Sequence, residues 1–313
     1  MNLQQLEYIV AVDQHRHFAR AADSCYVTQA TLSMMIRKLE DELDAVIFDR
    51  SRQPVVPTDA GRRIIEQARI VLKEAALLRQ ITTEASGELS GQLRIGIIPT
   101  LAPYILPYFL SSFLQKYSGV QVRITELNTA QITEQLAQDK LDVGILATPL
   151  PNEGLKTDPL FYERFFVFTS KEEKTLRKKY VAPQDLDTAR IWLLQEGHCL
   201  RSQMMSLCHL KRDAALHNLE YEAGSIESLL QIVEINKGLT IVPELATVTF
   251  DAEKKKQLKA FRPPVPVREI SLVTYRHFIK NRLLAALKAE IIAGVMPILG
   301  NAAKDQTVIG IES

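Results

Sequence analysis

Between Gln92 and Leu299 the chain alternates apolar runs of strand length with amphipathic runs of helix length, and no other feature limits the fold as strongly. The spacing predicts a strand over 93–98, a helix over 105–117, a strand over 120–127, a helix over 132–138 and a buried strand over 143–146. Segments 191–194, 225–235, 239–242 and 270–275 continue the alternation. Such a pattern predicts an α/β fold with mostly parallel strands. About 200 residues are enough for two subdomains with a cleft between them. In open α/β sheets ligands bind beyond the C-terminal ends of strands. Pro99-Thr100 and Asn128-Thr129 fall at such ends.

The 57 residues at the start read differently. Leu3, Leu6, Ile9 and Val10 share one helical face, and Phe18, Ala19, Ala21 and Ala22 suit a second helix that packs closely. Thr28 can cap a third helix, whose apolar positions are Leu32, Met35, Ile36, Leu39 and Leu43. Residues 48–54 read as a turn between two short extended runs. Three short helices and a wing make a winged helix-turn-helix. The polar side chains around the third helix are Thr28, Gln29, Thr31, Ser33, Arg37 and Lys38, all able to hydrogen-bond base edges or phosphates. Arg50 and Arg52 on the wing would reach the flanking backbone. Residues 1–57 nevertheless hold six Lys/Arg against eight Asp/Glu. A DNA reader must therefore segregate its charge, and these letters fit a small protein-interaction bundle equally well.

Residues 58–91 connect the two parts. Thr58 can cap a long helix reaching to about Ala85, in which Ile64, Ala68, Val71, Ala75 and Leu78 form a heptad seam suited to a second copy or to the helix's own domain. Ser86 to Gly91 reads as a hinge. The expected order is a DNA-binding domain over 1–57, a linker helix and hinge over 58–91, a regulatory domain over 92–300 and a tail over 301–313 that carries no readable signal.

Composition removes several classes. Lys+Arg is 38 against 37 Asp+Glu, which excludes a uniformly basic nucleic-acid coat protein. Three cysteines do not make a disulfide-stapled scaffold. The apolar run from Tyr8 to Val12 is too short for a signal peptide, and no stretch approaches a membrane span, so the cytoplasm is the expected location. No nucleophile elbow, P-loop, dinucleotide fingerprint or zinc-protease helix occurs, and no cofactor is expected.

The remaining chemistry lies in Gly197-His198-Cys199-Leu200-Arg201-Ser202, with Cys208-His209 further on. His198, Cys199, Cys208 and His209 are zinc-ligand types, but adjacent residues rarely bind one ion and no C-x₂-C pair is present. The cysteines could be two small buried hydrophobes. They could also be a thiol switch. A cysteine at a helix N-terminus has its thiolate favoured, and His198 or Arg201 would add to that. Such a thiolate attacks peroxide to give a sulfenic acid, which a second thiol condenses with. Were 199–208 helical, nine steps of ~1.5 Å would separate the cysteines by ~13.5 Å. A disulfide needs Cα atoms within ~7 Å. Helix and disulfide are then mutually exclusive, and oxidation must refold the segment.

The first 60 residues resemble the DNA-binding domain of LysR-type transcriptional regulators. The likeness lies in Phe18-Ala19-Arg20-Ala21-Ala22, in Val27-Thr28-Gln29-Ala30-Thr31-Leu32-Ser33, in Ile36-Arg37-Lys38-Leu39-Glu40, in Phe48-Asp49-Arg50 and in Thr58-Asp59-Ala60-Gly61. It extends over nearly the whole chain. Within the family, residues 197–201 with Cys208, together with Ile98-Pro99-Thr100, Asn128-Thr129 and Lys140-Leu141-Asp142, resemble the members that sense hydrogen peroxide.

That resemblance implies a peroxidatic Cys199 and a resolving Cys208, with Thr100, Thr129 and His198 placing the peroxide and Arg268 near the thiol. It implies a regulatory domain like a periplasmic binding protein, and a homodimer or homotetramer acting with promoter DNA and RNA polymerase. A cellular dithiol would reset the switch. Cys25 is expected in the core. Ala30, Met34-Met35 and Ser202 depart from the family pattern, which bears on operator preference and on thiolate tuning. Two rivals stay open: a LysR-type regulator of a small carboxylate effector with inert cysteines, and a thiol peroxidase.

Overall fold

The computed structural model describes residues 1–84, 89–150, 154–171, 180–186, 190–208, 223–275, 280–300 and 305–311. The chain divides into two compact units, Met1–Glu88 and Leu89–Ser313.

The first unit is a winged helix-turn-helix with a long helix. Its elements are α1 (Leu3–His15), α2 (Phe18–Ser24), α3 (Gln29–Leu43), β1 (Phe48–Asp49), β2 (Val56–Pro57) and α4 (Asp59–Glu84), with β1 and β2 paired antiparallel. Asn2 and Gln5 form a capping box at the start of α1, and Gln5 Nε2 donates to the Met35 carbonyl at 3.2 Å, tying α1 to α3. Leu6, Ile9, Val12, Ala21, Leu32, Ile36 and Leu39 make the core. Leu3, expected on the buried face, is exposed; Tyr8 and Val12 occupy that face instead.

The seam expected along α4 divides in two. Ala68 is buried, and Ile64 and Val71 pack on the winged-helix core. Arg69 bridges to Asp13 at 2.8 Å. Leu78 is 69% exposed. The near half of the seam therefore covers its own domain, since α1 offers an apolar face beside it.

Gly61 shows why the wing seats where it does. A Cβ there would lie 2.0 Å from the Ile47 carbonyl oxygen, which already accepts the Thr58 N–H. Gly61→Ala is expected to destabilise this unit by about 1–3 kcal/mol through overpacking, read as a lower urea midpoint with an unchanged slope.

The second unit is two α/β subdomains. Its strands are β3 (Ser90–Ile97), β4 (Gly119–Glu126), β5 (Val143–Thr148), β6 (Leu155–Thr169), β7 (Tyr180–Val181), β8 (Leu239–Pro243), β9 (Leu258–Phe261), β10 (Val265–Tyr275) and β11 (Gln306–Val308). Its helices are α5 (Ala102–Lys116), α6 (Thr129–Ala137), α7 (Cys199–Leu207), α8 (Ile226–Asn236), α9 (Ala252–Lys256) and α10 (Asn281–Val295). In the first subdomain β4, β3 and β5 run parallel, and β10 joins antiparallel to β5. The second subdomain is built on the far half of β6, with β8 and β9 antiparallel to it and β7 parallel to β9.

The sheet is thus mixed rather than mostly parallel. The cause is two long crossing strands. β6 pairs with β10 over Leu155 to Arg164 and with β8 and β9 over Phe165 to Thr169, so it carries the chain from one subdomain to the other. Segment 191–194, expected as a strand, contributes only isolated bridges at Ile191 and Leu194. Of the expected hinge, residues 86–88 lie outside the described residues, and Ser90 and Gly91 already belong to β3. Part of the silent 301–313 segment is structured: β11 pairs in parallel with β10. Among the described residues no helix is long and apolar enough to cross a membrane.

Candidate functional site

Cys199 is the first residue of α7 and Cys208 is its C-cap. The turn before it is set by Gly197, whose φ of +88° suits glycine and whose Cβ position lies 3.5 Å from Asn128 Nδ2. Both cysteines are buried free thiols. They belong to different apolar clusters: Cys199 to that of the first subdomain, Cys208 to that of the second. α7 is helical throughout Cys199–Leu207, so its own rise holds the two thiols apart.

Cys199 sits beside three groups expected from the sequence. Thr129 begins α6, which Asn128 caps. His198 is buried at the N-cap of α7 and lies 3.4 Å from Gln195 Nε2 through its own Nε2; burial holds its imidazole below the ordinary histidine range, so it is neutral at pH 7. Thr129, His198 and Cys199 together line a cavity of about 300 Å³, with Ala130, Thr133, Leu150, Gly197, Ser202 and Ile311. The Thr129 hydroxyl is buried and has no hydrogen bond of ordinary geometry among the described residues.

The third group is Arg268, on β10 and fully buried. Its Nε donates to Glu163 Oε1 at 2.6 Å, its Nη1 to Thr100 Oγ1 at 3.3 Å and its Nη2 to the Thr100 carbonyl at 3.1 Å. Glu163, on β6, is also fully buried, and its Oε2 accepts the Leu245 N–H at 3.1 Å. Thr100 therefore faces Arg268 rather than the cavity around Cys199.

The electrostatics differ from the sequence expectation. Burial pushes the Cys199 thiol up and outweighs everything that favours the thiolate. Those opposing influences are, in order, the charge of Arg268, the Thr129 hydroxyl and the backbone N–H groups of Leu200 and Ala147. Arg201, expected to tune the thiol, donates instead to the Leu194 carbonyl at 2.7 Å and is not among these influences. Cys208 is pushed up to about 12 by burial, so it stays a thiol while α7 is folded.

Glu163 escaped the sequence reading. A signal existed, since a lone carboxylate interrupts the apolar run Leu160 to Phe168. A buried charge in a strand implies a partner. Of the zinc reading, His209 lies outside the described residues, and among the described ones no group of three His, Cys, Asp or Glu side chains could hold a metal.

In the winged unit Gln29, Thr31, Arg37 and Lys38 are exposed around α3, opposite Leu32, Ile36 and Leu39. Thr28 caps α3 by accepting the Thr31 N–H at 3.2 Å. Arg50 is engaged within the domain: it donates to Glu40 at 2.8 Å and to half-buried Ser33 at 3.3 Å, and lies over the Phe18 ring. Arg52 pairs with Asp49 at 3.2 Å. Glu40 also accepts the Ile47 N–H at 2.8 Å. Part of the acidic excess is thus spent on joining α3 to the wing. Cys25 is half-buried as the C-cap of α2.

Residues 3–62 match the model of bacterial regulatory helix-turn-helix proteins of the lysR family, and residues 86–294 match the LysR substrate binding domain. The chain belongs to the LysR family. This LysR-type chain is 37% identical to the hydrogen peroxide-inducible genes activator of Haemophilus influenzae, over 87% of this chain and 90% of that one. It is equally similar to the DNA-binding transcriptional dual regulator OxyR of Escherichia coli, at 37% over 87% and 89%. A solved full-length OxyR variant from Pseudomonas aeruginosa superposes with a TM-score of 0.75 at 30% identity, covering 93% of this chain and 98% of that one. The likeness to full-length OxyR covers both units, and the regulatory part of this LysR-type chain has the periplasmic-binding-protein-like architecture.

Proposed function

We propose that this LysR-type protein is a transcriptional regulator activated by hydrogen peroxide through a reversible Cys199–Cys208 disulfide. The observation that carries the reading is the placement of two buried thiols at opposite ends of one short helix, in two different apolar clusters. Relatives named for hydrogen peroxide-inducible activation support it.

In the first step the Cys199 sulfur attacks one peroxide oxygen. The O–O bond breaks, leaving a sulfenic acid and a hydroxide that takes up the proton given up by the thiol and becomes water. α7 then unwinds. Freed from burial, Cys208 loses its proton and attacks the Cys199 sulfur, expelling the hydroxyl as a second water. A cellular dithiol reverses this, its own two thiols becoming a disulfide. Closing the ten-residue loop biases the chain by ~2.5–3 kcal/mol, enough to move a balanced two-state element about a hundredfold. Thr129 and His198 line the peroxide's approach, and Arg268, held by Thr100 and Glu163, supplies the supporting charge.

Residues 1–57 act as the DNA reader, 58–91 as the dimerising connector through α4, where Leu78 is exposed, and 92–300 as the sensor. Gln29, Thr31, Ser33, Arg37 and Lys38 face promoter DNA, with Thr28 shaping the helix start and Arg50 and Arg52 holding the wing. Homodimers pairing into tetramers would engage half-sites and RNA polymerase in the cytoplasm. Footprinting one promoter before peroxide, after peroxide and after added dithiol tests this: a pattern that changes and then returns supports it, and an unchanging one overturns it. Lys38→Ala is expected to weaken binding to all sequences alike and to lower the salt slope by about 1, measured by titration at several salt concentrations.

The cavity beside Cys199 favours a second reading, a small carboxylate effector held there with the cysteines inert. A Cys199→Ser, Cys208→Ser protein whose melting temperature rises with such a compound would support it.

A further inference from the structure

Residues 305–311 lie beyond the stretch matched by the substrate binding domain, yet they are built into the thiol site. β11 pairs with Val265 to Val267 of β10. The Ile309 N–H donates to the Val267 carbonyl at 2.8 Å, and the Ile309 carbonyl accepts from Gln203 Nε2 at 2.8 Å. Gln203 is fully buried on α7. Ile309 packs on the cluster that holds Cys208, and Ile311 on the cluster that holds Cys199. The strap is therefore pinned to the sheet and to the redox helix, and it brings Ile311 into the cavity wall beside Cys199.

The cavity is large for its assigned visitor. Its volume of about 300 Å³ reaches the lower end of small-molecule pockets, roughly 300–1,000 Å³. A water occupies ~30 Å³ of liquid, and hydrogen peroxide has only one more heavy atom. The polar part of the lining is Thr129, Thr133, His198 and Ser202; Ala130, Leu150 and Ile311 form an apolar part. Such a chamber can hold an –OOH group against Cys199 and an alkyl group against that apolar part.

We propose that Ile311 is a specificity-determining residue that sets the size of the hydroperoxide able to reach Cys199. The inference rests on the peroxide-sensing reading and extends it to small alkyl hydroperoxides. The chemistry balances in the same way: the Cys199 sulfur takes the terminal oxygen, the O–O bond breaks, and the alkoxide leaves as an alcohol after protonation. The strap that carries Ile311 is held by backbone pairing at 306–308 and by the Ile309 N–H, so its course does not depend on the Ile311 side chain.

The test is the rate of Cys199–Cys208 formation in the full chain with hydrogen peroxide and with tert-butyl hydroperoxide. Ile311→Ala is expected to raise the tert-butyl rate relative to the peroxide rate by about tenfold, since a methylene or two in an apolar pocket discriminates on that scale. Ile311→Phe is expected to lower the same ratio by a similar factor. The readout is the ratio of the two rates within each variant, so a change common to both hydroperoxides cancels. A ratio unmoved in both variants overturns the proposal while leaving peroxide sensing intact. Failure of hydrogen peroxide to oxidise the unaltered chain overturns the sensing reading, and this proposal with it.

Discussion

Cys199→Ser is expected to abolish the peroxide-dependent change in DNA footprint while leaving the reduced footprint in place. Serine keeps the size of the side chain and its position at the start of α7, so the helix has no reason to change. It removes the only atom of the residue that can be oxidised. Cys208→Ser separates the two steps. That variant should still form a sulfenic acid on Cys199, trapped by a dimedone-type reagent, but should lack the linked state that refolds the segment. Cys25→Ser should behave as the unaltered protein, since Cys25 lies in the other unit, as the cap of α2. A Cys199→Ser protein that switches normally would contradict the assignment.

The second large effect is expected at Arg268. Arg268→Gln leaves Glu163 fully buried without its ion partner, which costs about 3–5 kcal/mol in comparable cases. It also removes the strongest influence favouring the Cys199 thiolate. The sign follows directly. Burial already holds the thiol up, so losing the positive charge raises it further, leaves less thiolate at a given pH and slows oxidation. The pH midpoint of Cys199 alkylation should move upward, and the reaction with peroxide at pH 7 should slow by about tenfold for each unit of that movement. Replacing both partners, Arg268→Met with Glu163→Leu, separates the two roles. Stability should largely return, because removing a buried pair together is often neutral. Reactivity should not return, because the charge is still missing. A double variant that regains full reactivity would show that the pair only fills space.

The sequence reading and the structure diverge where position in three dimensions decides. The winged head was legible because Leu32, Ile36 and Leu39 keep helical spacing and Thr28 is a good cap. α5 and α6 were legible from helical spacing as well. The crossing strands were not. β6 runs from Leu155 to Thr169 with a burial pattern that changes midway, because its two halves serve different sheets. No single periodicity describes it. The strap at 306–308 is three residues long and gains its place from pairing with β10, which leaves no local mark.

The thiol site shows the same division. Cys199 and Cys208 stand out by type and spacing, and Gly197 marks the turn. Their reactivity could not be read from neighbours in sequence. His198 and Arg201 lie within two residues of Cys199 in the chain, but one is neutral and the other is turned to a backbone carbonyl. The charge that counts arrives from Arg268, on a strand far along the chain, held by Glu163 on another. Arg50 is a parallel case: Glu40 and Phe18, neither of them its neighbour in sequence, set the position of its side chain.

The most direct measurement is thiol mapping by mass spectrometry after one equivalent of hydrogen peroxide. The expected result is a single linked peptide joining Cys199 to Cys208, formed within the time of mixing at low peroxide, with Cys25 free and the link lost on adding dithiol. Hydrogen exchange across 199–207 should rise in the linked form, because the helix cannot survive it. Cys199 and Cys208 remaining reduced at high peroxide, or a link formed with α7 still protected, would contradict a switch that works by unwinding this helix.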